Sequence, residues 1–153
     1  MYIPPPAITS TVTKTAVDSW TTTWVDAADT LVGDFEITFD FVSANHYRKV
    51  FIEPVPLQTR NGSYAGLQDY MIYAKISFNM AFYKNNALQT SPSYAANDTF
   101  GFKRVGSTMA ILKNGVVTYT FSGTCSTADM KVSSELYSQN GDISNLKIGG
   151  VAA

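Results

Sequence analysis

The sequence predicts an all-β protein, an antiparallel two-sheet β-sandwich, on three observations. The first is residues 100–123: apolar-rich runs separated by Gly106-Ser107 and Asn114-Gly115, with no helix-period segment between them. Asn-Gly is the strongest short-range hairpin signal, because a type I′ turn needs positive φ at both central residues. The second is Asp34 to Phe41, where Phe35, Ile37, Phe39 and Phe41 alternate with Asp34, Glu36, Thr38 and Asp40. A one-residue slip there would bury carboxylates, so the register is firmly specified. The third is composition: 13% aromatic residues, with nine Tyr and nine Phe, suits half-buried pleated strands.

Further elements follow in order. Residues 1–17 read as an extended arm, because Pro4-Pro5-Pro6 favours polyproline II and the Thr-rich run after it is nearly uncharged. Residues 18–153 then form one sandwich domain, a size that buries a core without staples. Ser19 to Val25 is a strand with Trp20, Thr22 and Trp24 on one face. Lys49 to Glu53 is another, ended by Pro54 and Pro56. Tyr70 to Tyr83 is one bent strand, or two joined by a bulge, with Ile72, Ala74, Ile76, Phe78, Met80 and Phe82 on its apolar face. Lys84 to Thr99 is the longest loop. Met130 to Tyr137 and Ile143 to Ile148 close the chain, for about nine strands in all.

Composition also bounds function. Only 15% of residues are charged and the net charge is −1, with no basic cluster to neutralise a phosphate backbone, so no nucleic acid is expected as a partner. The opening Met1-Tyr2-Ile3-Pro4 has neither the basic nor the apolar region of a signal peptide. The longest apolar-rich run is interrupted by Lys75, Ser77 and Asn79, so no membrane insertion is expected. Cys125 is the single cysteine, expected in a loop after the hairpins as a partly buried thiol.

From Phe100 onward the run FGFKRVGSTMAILKNGVVTYTFSG and the closing LYSQNGDISNLKIGG, with the upstream GDFEITFDF, resemble the concanavalin A-like, laminin-G-like jelly-roll superfamily. The resemblance implies a jelly-roll sandwich, and its context is bacteriophage fibre and capsid-surface proteins. Enzymes of the superfamily carry a Glu-x-Asp-x-x-Glu strand motif, which this chain does not have: Asp34, Glu36 and Asp40 differ in order and spacing.

Candidate chemistry is sparse. A glycosidase needs carboxylates about 5–9.5 Å apart. Glu36 with Asp34, two residues apart, meets that distance at about 7 Å along one strand face, on which Asp40 lies four residues further along, but a solvated outer face explains the three as well. His46, the one histidine, lies in a polar turn with no Gly-x-Ser-x-Gly elbow, so no catalytic residues are assigned. No metal or cofactor is assigned either; Asp26 with Asp29, or Asn97 with Asp98, are the pairs weighed for calcium. Sugar binding uses aromatic faces plus amide and carboxylate side chains. The candidate glycan-binding residues are Tyr83, Asn85, Asn86, Tyr94, Asn97 and Asp98, with Arg60 and Tyr64 in a neighbouring loop. The bland alternative is that such residues simply populate loops.

The leading expectation is a non-enzymatic virion protein of a bacteriophage, a capsid decoration or fibre-type subunit that contacts other virion proteins and adheres to surface glycans. The alternative is a carbohydrate-binding module, a lectin not tied to a virion. Tyr2, Ile3, Pro4, Pro5, Pro6, Ile8 and Val12 are the candidate assembly arm. Exposed edges with few Lys residues suggest a homo-oligomer, and analogy with phage surface proteins makes it a trimer.

Overall fold

A computed structural model describes residues 2–3, 12–13, 21–22, 31–41, 47–54, 70–85, 87–136 and 142–151. Within them the chain forms thirteen strands: β1 Tyr2–Ile3, β2 Val12–Thr13, β3 Thr21–Thr22, β4 Phe35–Asp40, β5 Arg48–Pro54, β6 Tyr70–Ala74, β7 Met80–Lys84, β8 Ala87–Thr90, β9 Thr99–Val105, β10 Thr108–Lys113, β11 Val116–Thr120, β12 Met130–Leu136 and β13 Asp142–Val151. They make two antiparallel sheets. The first runs β1-β13-β4-β9-β10-β11, with β2 also pairing β13; the second runs β3-β12-β5-β6-β7-β8.

The expected sandwich is therefore present, and its clearest sequence signals hold. In β4, Phe35, Ile37, Phe39 and the following Phe41 are all buried, while Glu36, Thr38 and Asp40 remain partly exposed. β9, β10 and β11 form the expected meander, and Asn114 and Gly115 take φ of 51° and 81°, both positive as the I′ turn requires. The inner faces of both sheets interdigitate: Phe39, Phe102 and Ile111 from the first meet Ile52, Ile72, Phe82 and Val132 from the second in one apolar cluster. Each such side chain stabilises the fold by roughly 1.5–3 kcal/mol on burial.

Close approach decides one position. A Cβ on Gly101 would collide with the Ile37 carbonyl oxygen of the neighbouring strand, so only glycine fits there. Arg104 decides another. It is buried, lies over the Phe35 ring at 4.7 Å, and donates to the carbonyls of Gly33, Ser126 and Ala128. One guanidinium thus pins the entry to β4 and the segment after β11 against β9.

Two expectations are corrected. Residues 70–83 are neither one bent strand nor two joined by a bulge; β6 and β7 form a hairpin that reverses at Ser77-Phe78, with φ of 60° and 59°. Neither residue type signals such a turn, and the apolar alternation runs through it unbroken. Ile76 and Phe78, expected on the apolar inner face, are exposed at 41% and 47%. The second correction is in the long loop 84–99, which contains β8, paired to β7 through a register shift between Phe82 and Tyr83. The arm reaches the first sheet. Tyr2 and Ile3 pair with Val151 and Gly150, and Val12 pairs with Ile143, so these residues cover β13 of their own chain. An unpaired outer strand exposes a row of backbone donors and acceptors, and pairing within the chain satisfies them. Pro4, Pro5, Pro6 and Ile8 lie outside the described residues.

One feature was not anticipated. The face of the second sheet turned away from the core also carries apolar residues: Phe51, Met71, Tyr73 and Ala81 are buried there, with Tyr47 and Tyr83 packed beside them. Cys125 is buried, and its amide donates to the Ser107 carbonyl at 2.7 Å.

Candidate functional site

The edge strands β8 and β11 belong to different sheets, and a cleft of about 240 Å³ opens between them. Its apolar lining is Phe82 from β7, Phe100 from β9 and Tyr119 from β11; its rim is Thr90, Pro92 and Ser93 on one side and Lys113 and Thr118 on the other. The cleft lies where the short β8 ends at Thr90 and the chain continues through Ser91-Pro92-Ser93, tied to the start of β7 by the Met80 amide on the Pro92 carbonyl. Phe82 and Phe100 are buried, whereas Tyr119 is half-buried. Its ring is held edge-on to Phe121 at 5.1 Å and tilted to Phe82 at 6.0 Å. The aromatic wall is thus fixed by packing before any ligand arrives.

Hydroxyls of Thr90, Ser93, Thr118 and Tyr119 and the Lys113 ammonium supply the polar groups; no carboxylate is among the described lining residues. Lys113 Nζ stands 3.6 Å from Asp98 Oδ2. Asp98 itself is already engaged: its carboxylate accepts the Ala95 amide at 2.8 Å and the Asn114 side-chain amide at 3.0 Å. Partial burial pushes the Asp98 carboxyl up, but Asn114, the Ala95 amide and Lys113 together hold it below the usual carboxylate range. Asp98 thus works as a brace between the loop before β9 and the β10–β11 turn. An aromatic wall under a hydroxyl rim suits a ligand that has both an apolar face and hydrogen-bonding edges.

The expected glycan-binding residues do not converge here. Tyr94 is a core residue: its hydroxyl accepts from Arg48 Nη2 at 3.1 Å and reaches the Lys75 carbonyl at 3.1 Å. Burial raises its pKa against the lowering effect of Arg48, and its ring offers no face to a sugar. Tyr83 packs beside the outer-face cluster of Phe51, Met71, Tyr73 and Ala81. Asn85 occupies the β7–β8 turn at φ 49°, and Asn97 a loop at φ 67° with its amide on the Phe41 carbonyl. Asn tolerates such φ better than other side chains, which explains both positions structurally. Only Asp98 reaches the cleft, through Lys113. Asn86, Arg60 and Tyr64 lie outside the described residues, as do His46, Asp26 and Asp29. Among the described residues no group of three or more His, Cys, Asp or Glu side chains forms a metal site.

The strand carboxylates are accounted for locally. Asp34 accepts the Gly106 amide at 2.6 Å and Asp40 accepts the Thr99 hydroxyl at 2.6 Å. Glu36 sits in register opposite Lys103. The cleft residues escaped the sequence reading because Thr90, Ser93 and Thr118 carry no motif; the available signal was that Ser-Pro-Ser and the Asn-Gly hairpin both end edge strands.

The sequence matches no protein-family model and no curated protein. Solved structures do match it. The exoplasmic/lumenal domain of VIP36, in a form bound to Ca2+ and Man3GlcNAc, superposes with a TM-score of 0.66 at 8% identity, covering 99% of this chain and 84% of that one. A Bacillus subtilis protein with a galectin-like fold superposes at 0.63 and 10% identity, covering 99% and 100%. The fold is the concanavalin A-like jelly roll. The alginate lyase AlgAT5, from polysaccharide lyase family 7, is similar at a TM-score of 0.54 and 10% identity over 78% of this chain, which spans 60% of the lyase. A concanavalin A-like jelly roll therefore hosts both saccharide binding and saccharide cleavage, and the fold alone does not choose between them.

Proposed function

We propose that this chain is a non-catalytic carbohydrate-binding domain whose ligand seats in the β8–β11 cleft. The observation that carries the reading is the cleft itself: a prepacked wall of Phe82, Phe100 and Tyr119 beneath the hydroxyls of Thr90, Ser93 and Thr118. The apolar face of a pyranose stacks on the half-buried Tyr119 ring, which Phe82 and Phe100 back from the core, while its hydroxyls meet the rim. The VIP36 domain, seen with a mannose-containing saccharide, lends support from the same fold. The absence of a carboxylate among the described lining residues favours binding over acid–base cleavage.

A glycan array with the purified chain and a Thr118→Trp variant tests this. Thr118 is exposed, so the indole fills the cleft without entering the core. Selective retention of a glycan class by the wild type, lost in the variant with unchanged melting temperature, is the expected result. Retention that ignores the substitution, or no retention, refutes the reading. Unsaturated products released from alginate would instead place the chain with the lyases.

A second reading, a homo-oligomeric subunit, is favoured by the edge strand β11. It is free of charge from Val116 to Thr120, and Val116 and Val117 are 64% and 47% exposed. Uncharged edges are the ones prone to pair with another chain. The bacteriophage context and the trimeric state rest on the sequence resemblance.

A further inference from the structure

We propose that Phe78 is a second glycan-contact point, a stacking platform for the outer rings of a saccharide chain whose first ring occupies the β8–β11 cleft. This rests on the carbohydrate-binding reading of that cleft, and it adds that the ligand is an extended oligosaccharide rather than a single sugar.

The β6–β7 hairpin reverses through two consecutive positive-φ residues, Ser77 and Phe78, closed by Lys75 N to Asn79 O at 2.8 Å and Asn79 N to Ile76 O at 3.4 Å. The same chain solves the same turn problem with Asn114-Gly115, residue types that enter this region cheaply. A bulky residue with positive φ is a conformational outlier, and such outliers gather where structure serves a ligand. Its exposure is equally unusual. Phe78 is 47% exposed, while Phe35, Phe39, Phe41, Phe51, Phe100 and Phe102 are buried. A side chain that gains little from burial and strains its backbone is a poor structural choice for a turn.

The turn is bonded to the segment that walls the cleft: the Tyr94 amide donates to the Phe78 carbonyl at 2.9 Å, the Met80 amide donates to the Pro92 carbonyl at 3.0 Å, and Asn79 bridges Ser93. Pro92 and Ser93 are cleft residues. Two residues of extended chain, about 7 Å, separate Pro92 from the level of Tyr94, which is on the scale of a sugar ring or two. The Phe78 ring leans on Tyr94 at 6.1 Å, and Tyr94 is in turn held by Arg48. The exposed ring is therefore aimed by a buried one, which lowers the ordering cost of binding. Membrane insertion of the Ile76–Phe78 tip is the competing use of the same exposed surface.

Calorimetric titration with saccharides of increasing length, drawn from the glycan class the array selects, tests the proposal on wild type, Phe78→Ala, Phe78→Trp and Thr118→Trp. Wild-type affinity should rise with chain length. Phe78→Ala should keep the short-ligand affinity but lose about fivefold for the longest ligand, and Phe78→Trp should restore it. Equal losses at every length would mean Phe78 acts only on the fold, and no loss would remove the platform outright; either overturns the inference while leaving the cleft reading intact. Co-sedimentation with phosphatidylcholine vesicles that is lost in Phe78→Ala would assign the tip to membranes instead. Binding insensitive to Thr118→Trp would refute the cleft reading and the platform with it.

Discussion

Arg48 Nη2 donates to the Tyr94 hydroxyl at 3.1 Å inside the sandwich, joining the first residue of β5 to the loop that precedes β9. Both residues are buried, and Arg48 also lies over the Phe41 ring at 4.6 Å. Tyr94→Phe keeps the ring packing and deletes the acceptor. Chemical denaturation should show a loss of about 1.5–3 kcal/mol, the usual worth of a hydrogen bond to a charged group. A loss near zero would mean that the guanidinium is held by its remaining contacts.

Gly101→Ala should be among the most damaging single-methyl additions in the chain. The added Cβ meets the Ile37 carbonyl oxygen, a backbone atom that cannot move without parting β4 from β9. Thermal unfolding should report a loss of about 3 kcal/mol or more, or no cooperative transition at all. An unchanged melting temperature would show that the two strands can separate freely.

Relief of backbone strain should stabilise the β6–β7 turn. Phe78→Gly replaces a side chain at φ 59° with the residue that occupies this region at least cost. The expected gain is about 1 kcal/mol, less whatever the contact with Tyr94 contributes. A melting temperature that falls would mean that the exposed ring stabilises the turn more than its conformation costs. Combined with weaker binding of long saccharides, a gain would identify Phe78 as a stability–function compromise.

Much of the architecture is legible in the sequence because strand pairing follows from alternation and turn chemistry. Asp34 to Phe41 and the Asn114-Gly115 hairpin carry both signals, and both are where expected. Ser77-Phe78 carries neither: its residue types oppose the turn, and Ile76 and Phe78 continue an inward-looking alternation that the reversal turns outward. β8 is hidden for a different reason. Ala87 to Thr90 is short and half-exposed, so it has no buried face to impose a pattern. The site was harder to read than the fold. Tyr94 and Asn97 are chemically suited to sugars, yet burial claims one and backbone geometry the other, and neither constraint is visible without tertiary structure. The cleft arises from two edge strands distant in sequence, so no local motif announces it.

Asp98 makes stability pH-dependent in a defined direction. Its folded pKa is depressed, so its contribution is present above the unfolded carboxylate value and is lost as pH falls through the folded value. The stability gap between wild type and Asp98→Asn should therefore be widest near neutral pH and should shrink below about pH 4. A gap that does not change with pH would show that the brace acts through shape rather than charge.

Self-association through β11 should respond to one edge charge. Lysine on an edge strand blocks pairing with another chain. If the full chain sediments as an oligomer, Val117→Lys, at a site 47% exposed, should dissociate it with little change in melting temperature. A monomeric wild type, or an oligomer indifferent to this change, would remove β11 as the contact.

The most direct measurement is amide chemical-shift mapping of the chain titrated with the saccharide that the array selects. Perturbations should concentrate at Thr90, Ser93, Lys113, Thr118 and Tyr119, which line the cleft. Perturbations centred instead on Glu36, Thr38 and Lys103, across the outer face of the first sheet, would contradict that placement.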